Sequence, residues 1–285
     1  MEEYKSWHEE DGITFHNQMN IFFSQCDKFK RLSLHELLRI TSDTAVEEYR
    51  QRGLSRDVLT QNGYAILVSR VSFKINRMPK ENEHITITTW EEKPEALQFV
   101  RAYRIKDKDG NPIVEGLSSW LLVNPETRRI LPLKNFTMRT APTEQKQNEC
   151  AKPGKISIPE NMELLAERKI LFSDMDGNGH TNNSRYGAFA MDALSEEFQA
   201  KNLTAFRLNY SKEARPGETL KIYGSFNKET NTYTVVGKTE SDTSFEAVLT
   251  FEIHRRGKPS PAAALRCVLP LLRGNLFAKP RNAPI

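Results

Sequence analysis

The chain has 285 residues, room for one large domain or two of ordinary size with an ample core. Its composition, 38% hydrophobic and 27% charged with 14 Gly and 14 Pro, is that of a soluble globular protein and excludes a fibrous or low-complexity chain. The net charge of +4 comes from the C-terminal stretch: residues 255–285 hold seven Lys/Arg and no acid, and without them 34 basic residues face 37 acidic ones, so no nucleic-acid partner is expected.

At the N-terminus, the acidic start Met-Glu-Glu-Tyr-Lys-Ser-Trp-His-Glu-Glu lacks the apolar run of a signal peptide. Cys26, Cys150 and Cys267 are few and far apart, which argues against a disulfide framework or a metal site and for a cytoplasmic location. No apolar run reaches spanning length, so no membrane span is expected. A short strand is predicted at residues 12–18. Ser33 then precedes Leu34, Leu37, Leu38, Ala45, Val46 and Tyr49, an apolar face at helical spacing that ends near Gly53. Alternating strands follow through Val71, Phe73 and Ile75, through Ile85 and Ile87, and at 97–106 and 113–123.

Polar residues and prolines at 142–160 mark a linker, after which the pattern begins again. A strand is predicted at 169–172, and a helix over 183–199 capped by Asn182 or Asn183, with Tyr186, Phe189, Ala190, Ala193, Leu194 and Phe198 on one face. Strands through Phe206, Leu208 and Tyr210, through Leu220 and Ile222, and at 232–240 and 245–254 complete it. An offset of 149 residues lays Phe23-Ser24, Asp27 and Asp43 on Phe172-Ser173, Asp176 and Asp192. An offset of 135 lays Val71, Phe73, Ile75 and Glu83 on Phe206, Leu208, Tyr210 and Glu218. The chain therefore reads as a duplicated α+β unit: residues 1–141, the linker, residues 161–256, and a tail at 257–285 outside the fold. Two such units can close on each other as a pseudo-dimer.

The second copy carries Phe172-Ser-Asp-Met-Asp-Gly-Asn-Gly-His-Thr-Asn-Asn183. It opens like a calcium loop, but the twelfth position is Arg185 where a bidentate Glu belongs, and His180 has no second zinc ligand at a suitable spacing. What remains is Asp176, Asn178 and His180 on alternate residues of a loop leading into a helix. Backbone N–H groups at a helix start can stabilise an oxyanion, and a His or carboxylate nearby can activate water. The bland alternative is a hydrogen-bonded helix start with a structural His. Against it, Asn178 and His180 fall opposite Phe29 and Arg31, whereas a structural need would apply to both copies. Glu213, a candidate base, likewise falls opposite Met78, although a solvated Glu in an ordinary turn has the same sequence.

Residues 174–183 with Tyr186, Tyr210-Ser-Lys-Glu213-Ala214-Arg215, and Val68-Ser-Arg-Val71 followed by Thr88-Thr-Trp90 resemble motifs of the acyl-acyl-carrier-protein thioesterases of plants and bacteria. The resemblance spans residues 10–254. It implies a double hotdog fold and hydrolysis of a fatty acyl thioester on acyl carrier protein in fatty acid biosynthesis, with no metal or organic cofactor. It implies catalytic roles for Asp176, Asn178, His180 and Glu213. Plant members carry Cys where this chain has Ala214, so direct attack by water is expected here in place of a Cys–His acyl-enzyme. The first copy is the expected place for an acyl tunnel, with Leu37, Leu38, Val71, Phe73 and Ile75 as candidate walls. Lys212 and Arg215 are candidates to steer the acidic carrier protein to a monomeric pseudo-dimer or a homodimer. The alternatives are an acyl-coenzyme A thioesterase of the same fold, an enoyl-thioester hydratase, and a non-catalytic acyl-binding protein. Hydratases of this fold separate their Asp and His by four residues, against three between Asp176 and His180.

Overall fold

Leu34, Leu37, Leu38, Ala45 and Tyr49 form a stripe that needs a covering surface, and the alternating strands supply one. The computed structural model describes residues 5–253 apart from 96, 144 and 145; the expected tail at 257–285 lies outside the described residues. The first half comprises β1 (Ser6–His8), β2 (Phe15–Asn20), α1 (Leu34–Gln51), α2 (Arg56–Gln61), β3 (Ala65–Ile75), β4 (His84–Glu95), β5 (Gln98–Asp107) and β6 (Pro112–Val123). The second comprises β7 (Glu163–Lys169), α3 (Arg185–Asp192), α4 (Glu196–Ala200), β8 (Leu203–Tyr210), β9 (Thr219–Asn227), β10 (Thr232–Lys238) and β11 (Thr243–Phe251).

All the strands join one antiparallel sheet in the order β1-β2-β4-β5-β6-β3-β8-β11-β10-β9-β7. Leaving β1 aside, the order reads alike from either edge, each strand meeting its counterpart: β2 with β7, β4 with β9, β5 with β10, β6 with β11, β3 with β8. The seam shows why two copies suffice. Val71 pairs with Leu208 and Phe73 with Phe206, while the offset of 135 makes Phe206 the counterpart of Val71 and Leu208 that of Phe73. The seam is thus related to itself by a pseudo-two-fold axis through the pair Ser72–Arg207. Edge pairs with edge, and the unit's most exposed hydrogen-bonding groups are consumed internally.

The sheet wraps α1 and α3, which lie side by side beneath it. Gly187 permits that approach, because a Cβ there would sit 2.6 Å from Leu38 Cδ1. The shared core runs from Leu37, Leu38, Val71 and Phe73 to Phe189, Phe206, Leu208 and Phe245. This is the α+β class expected from the pattern and the double hotdog that the resemblance implies. The segment after β6 is pinned across the seam on the opposite sheet face: Ser72 Oγ donates to Ala151 O, Arg207 Nη2 donates to Gly154 O at 3.0 Å, and Cys150 and Ile156 are buried.

Local expectations shift in three places. The strand placed at 169–172 runs over Glu163–Lys169. The Asp174 carboxylate accepts the Leu171 N–H and turns the chain into a 3-10 turn over Phe172–Asp174, leaving the Phe172 side chain exposed. The single helix placed at 183–199 is two helices, α3 and α4. Ser195 adopts an extended N-cap conformation with Glu196 and Glu197 behind it, and Gln199 Nε2 donates to the freed carbonyls of Met191 and Leu194. Strand β1 and helix α2 were not expected from the pattern.

Candidate active site

The loop before α3 repeats the backbone of the loop before α1. Asp176 Oδ1 accepts the N–H groups of Asn178 at 2.7 Å and His180 at 3.2 Å; Asp27 Oδ1 accepts those of Phe29 at 2.8 Å and Arg31 at 3.1 Å. Both loops also close by a bond from the Asp N–H to a carbonyl four residues on, and both carry one left-handed residue, Gly179 at φ 72 and Lys30 at φ 60. The Asp176 carboxylate is therefore spent on loop geometry that both halves share.

The side chains differ. In the first half Arg31 is tied down by Asp27 and by the carbonyls of Gln199 and Lys201 across the helices, and Met78 packs on the core. In the second, Asn178 and His180 are exposed, and Asn178 Nδ2 reaches Asp176 Oδ2 at 3.3 Å. Glu213, in the turn after β8, places Oε2 at 3.9 Å from His180 Nε2. The backbone N–H of Thr181 donates to Glu213 Oε1 at 3.1 Å, and Thr181 Oγ1 donates to Ala214 O, clamping the loop to the turn. All four sequence-predicted residues thus share one small region assembled from segments more than 30 positions apart.

Three supports escaped the sequence reading. Besides Thr181, Tyr186 on α3 accepts the Ala214 N–H at 3.2 Å, and Tyr210 donates to Asn183 O at 3.2 Å. Burial pushes both phenols above their ordinary range, so they stay protonated. The signal was present in part, since Tyr186 lies on the apolar stripe of α3. Asp174 is a different matter: fully buried, it is held by Arg168 at 2.8 Å and by Arg185 at 2.9 Å, which leaves neither oxygen for a cation. The N–H groups of Thr181, Asn182, Ser184 and Arg185 are engaged within the protein, so the expected oxyanion donors at the helix start are largely taken. Lys212 is paired with Asp242 at 2.7 Å, while Arg215 is exposed.

A cleft of about 1080 Å³ begins at Asn178, His180 and Glu213 and runs under α1 along the first-half sheet, past Leu38, Ala45, Val71, Phe73 and Phe99. Leu37 and Ile75, expected on its wall, are instead packed in the core. The cleft is thus lined from both halves, the second supplying Asn178, His180 and Glu213 and the first most of the remaining wall. Among the described residues no helix is long and apolar enough to cross a membrane.

Comparison with known proteins fits this geometry. The sequence models of the acyl-ACP thioesterase N-terminal and C-terminal domains match residues 12–139 and 160–252. A chloroplastic acyl-acyl-carrier-protein hydrolase of Cuphea viscosissima is 22% identical over 227 residues; the match covers 74% of this chain and 54% of the relative, so the chain spans about half that protein's length. Among solved structures, an acyl-ACP thioesterase of Bacteroides thetaiotaomicron superposes with a TM-score of 0.78 at 24% identity, covering 86% of this chain and 100% of its own. The 12:0-ACP thioesterase of Umbellularia californica superposes with a TM-score of 0.68 at 15% identity, covering 84% and 97%.

Proposed function

The chain belongs to the acyl-ACP thioesterase family, and from that premise we propose that it hydrolyses the thioester joining a fatty acyl chain to acyl carrier protein, releasing free fatty acid. The observation that carries this reading is the facing pair His180 and Glu213, 3.9 Å apart at the mouth of a long, largely apolar cleft. A water held between them is within reach of both groups. Glu213, its carboxylate oriented by the Thr181 N–H, takes a proton from that water while His180 fixes its position. The new C–O bond forms at the thioester carbonyl, the C–S bond breaks, and the proton passes from Glu213 to the departing thiolate. Asn178 holds the carbonyl oxygen, and Asp176 holds Asn178. With Ala214 buried behind the turn, no thiol stands there to form an acyl-enzyme.

The test is release of free fatty acid from acyl-acyl carrier protein by His180→Ala and Glu213→Ala. Each is expected to lose about 10²–10⁴-fold in kcat. Because both side chains are exposed, far-ultraviolet circular dichroism should not change. Near-normal turnover by both variants would remove the assignment, and faster hydrolysis of acyl-coenzyme A would reassign the carrier. We place the protein in the cytoplasm, a reading supported by the unpaired Cys26 and Cys150, and regard it as a monomeric pseudo-dimer or a homodimer of such chains.

A further inference from the structure

The pairing registers allow a row-by-row comparison of the halves. Outward from the seam, one row of the first half reads Val71, Ser118, Arg101, Glu91; the equivalent row of the second reads Phe206, Leu249, Tyr233, Phe226. Tyr49 on α1 corresponds to Phe198 on α4 by the offset of 149. In the second half the outer three positions are filled by rings: Phe198 lies 4.7 Å from Phe226 and 5.0 Å from Tyr233, centroid to centroid. In the first half the same three positions are Tyr49, Glu91 and Arg101, joined by Glu48 and Arg139 in a buried ion cluster. Arg101 pairs with Glu48 at 2.8 Å, Arg139 pairs with Glu91 at 2.8 Å, and Tyr49 donates to Glu91 Oε1.

The fold therefore does not require ions at this place. Rings of similar size satisfy it in the twin, and a buried ion pair is often no more stabilising than its apolar replacement. The cluster is also where the cleft is. Tyr49, Glu91 and Arg101 line the cleft, whereas none of the three rings does. The donors do not balance. Arg52 at 3.0 Å and Arg101 at 2.8 Å satisfy both oxygens of Glu48, and Glu91 Oε1 is doubly satisfied. Among the described residues Glu91 Oε2 is buried with no hydrogen-bond partner, and Arg52 Nη1 stands 3.8 Å away. From β8 to β4 is four strand steps, about 19 Å, the reach of a long acyl chain.

Building on the thioesterase reading, we propose that Glu91 and its partners form a polar subsite that receives a hydroxyl group carried by the acyl chain at the end remote from the thioester. The hydroxyl donates to Glu91 Oε2, an acceptor that an unsubstituted chain would leave without a partner. Hydroxylated acyl thioesters are then preferred over plain ones of equal length. An unsubstituted chain is accommodated only if it stops short of the cluster.

The experiment measures kcat/KM for acyl carrier protein loaded with unsubstituted or terminally hydroxylated chains of matched length, across a series of lengths. At the lengths that reach β4 the hydroxylated substrate is expected to lead by at least tenfold, the worth of one hydrogen bond to a charged acceptor. Glu91→Gln should narrow that lead at the lengths that reach β4. Should this variant fail to fold, the wild-type comparison decides alone. Hydrolysis of plain chains with no hydroxyl preference at any length overturns the subsite and leaves the thioesterase reading standing. Hydrolysis of neither substrate overturns both.

Discussion

Asp174 shows how one residue can look like a metal ligand and be structural. It opens the polar motif, yet its carboxylate is fully buried and shared among Arg168, Arg185 and the Leu171 N–H. Burial alone would raise its pKa; the Leu171 N–H and the two guanidinium groups outweigh that and hold it below the ordinary 3.8. A carboxyl depressed by folding stabilises the native state above its unfolded pKa, and the benefit is lost as pH falls through the folded value. Asp174→Asn is therefore expected to cost about 2 kcal/mol at pH 7, less than for a wholly buried pair because both arginines are partly exposed. Its stability should also change less than that of the parent between pH 4 and lower pH. Urea midpoints across that range check this, and parallel pH profiles for the two proteins would refute it.

At the scale of the element, the two helix-leading loops are a built-in control. Asp27 and Asp176 hold the same backbone N–H pattern, so Asp27→Ala and Asp176→Ala should each destabilise by about 1–2 kcal/mol. Only Asp176→Ala should reduce turnover, by at least about tenfold, since it alone positions Asn178 and His180. Equal losses of activity in the two variants would mean that the loops act on the site through the fold and not through those side chains. The helices were legible to different degrees. The stripe from Leu34 to Tyr49 predicted α1 to its ends, because one buried face at constant period determines a helix. The break between α3 and α4 was not legible, since Ser195 sits on a run that keeps its apolar spacing and only the cap geometry reveals the stop.

For the whole molecule the seam matters most. Residues 5–141 alone would expose the β3 edge and the face of α1 that α3 covers; residues 142–253 alone would expose the reciprocal surfaces. Each half produced separately is expected to aggregate or self-pair, and the two produced together should reassemble with measurable turnover. Size-exclusion profiles showing two stable, non-interacting monomers would contradict this. The meeting of cleft and polar groups also belongs to this scale: most of the cleft wall comes from the first half, while in the second His180 lies before α3 and Glu213 after β8.

The sequence by itself determined the α+β class and showed that Asn178, His180 and Glu213 face unlike residues in the first copy, because a repeat makes every departure visible; Asp176, matched by Asp27, stood out only through the family resemblance. Tertiary structure alone decided the rest: that Glu213 faces His180, that Thr181 and Tyr186 hold the turn, and that Glu91 and Arg101 sit on the cleft wall where the twin has Phe226 and Tyr233. Those facts depend on strand register and on a seam between distant segments. A linear pattern carries periodicity along a strand but not which residue stands opposite across the ladder.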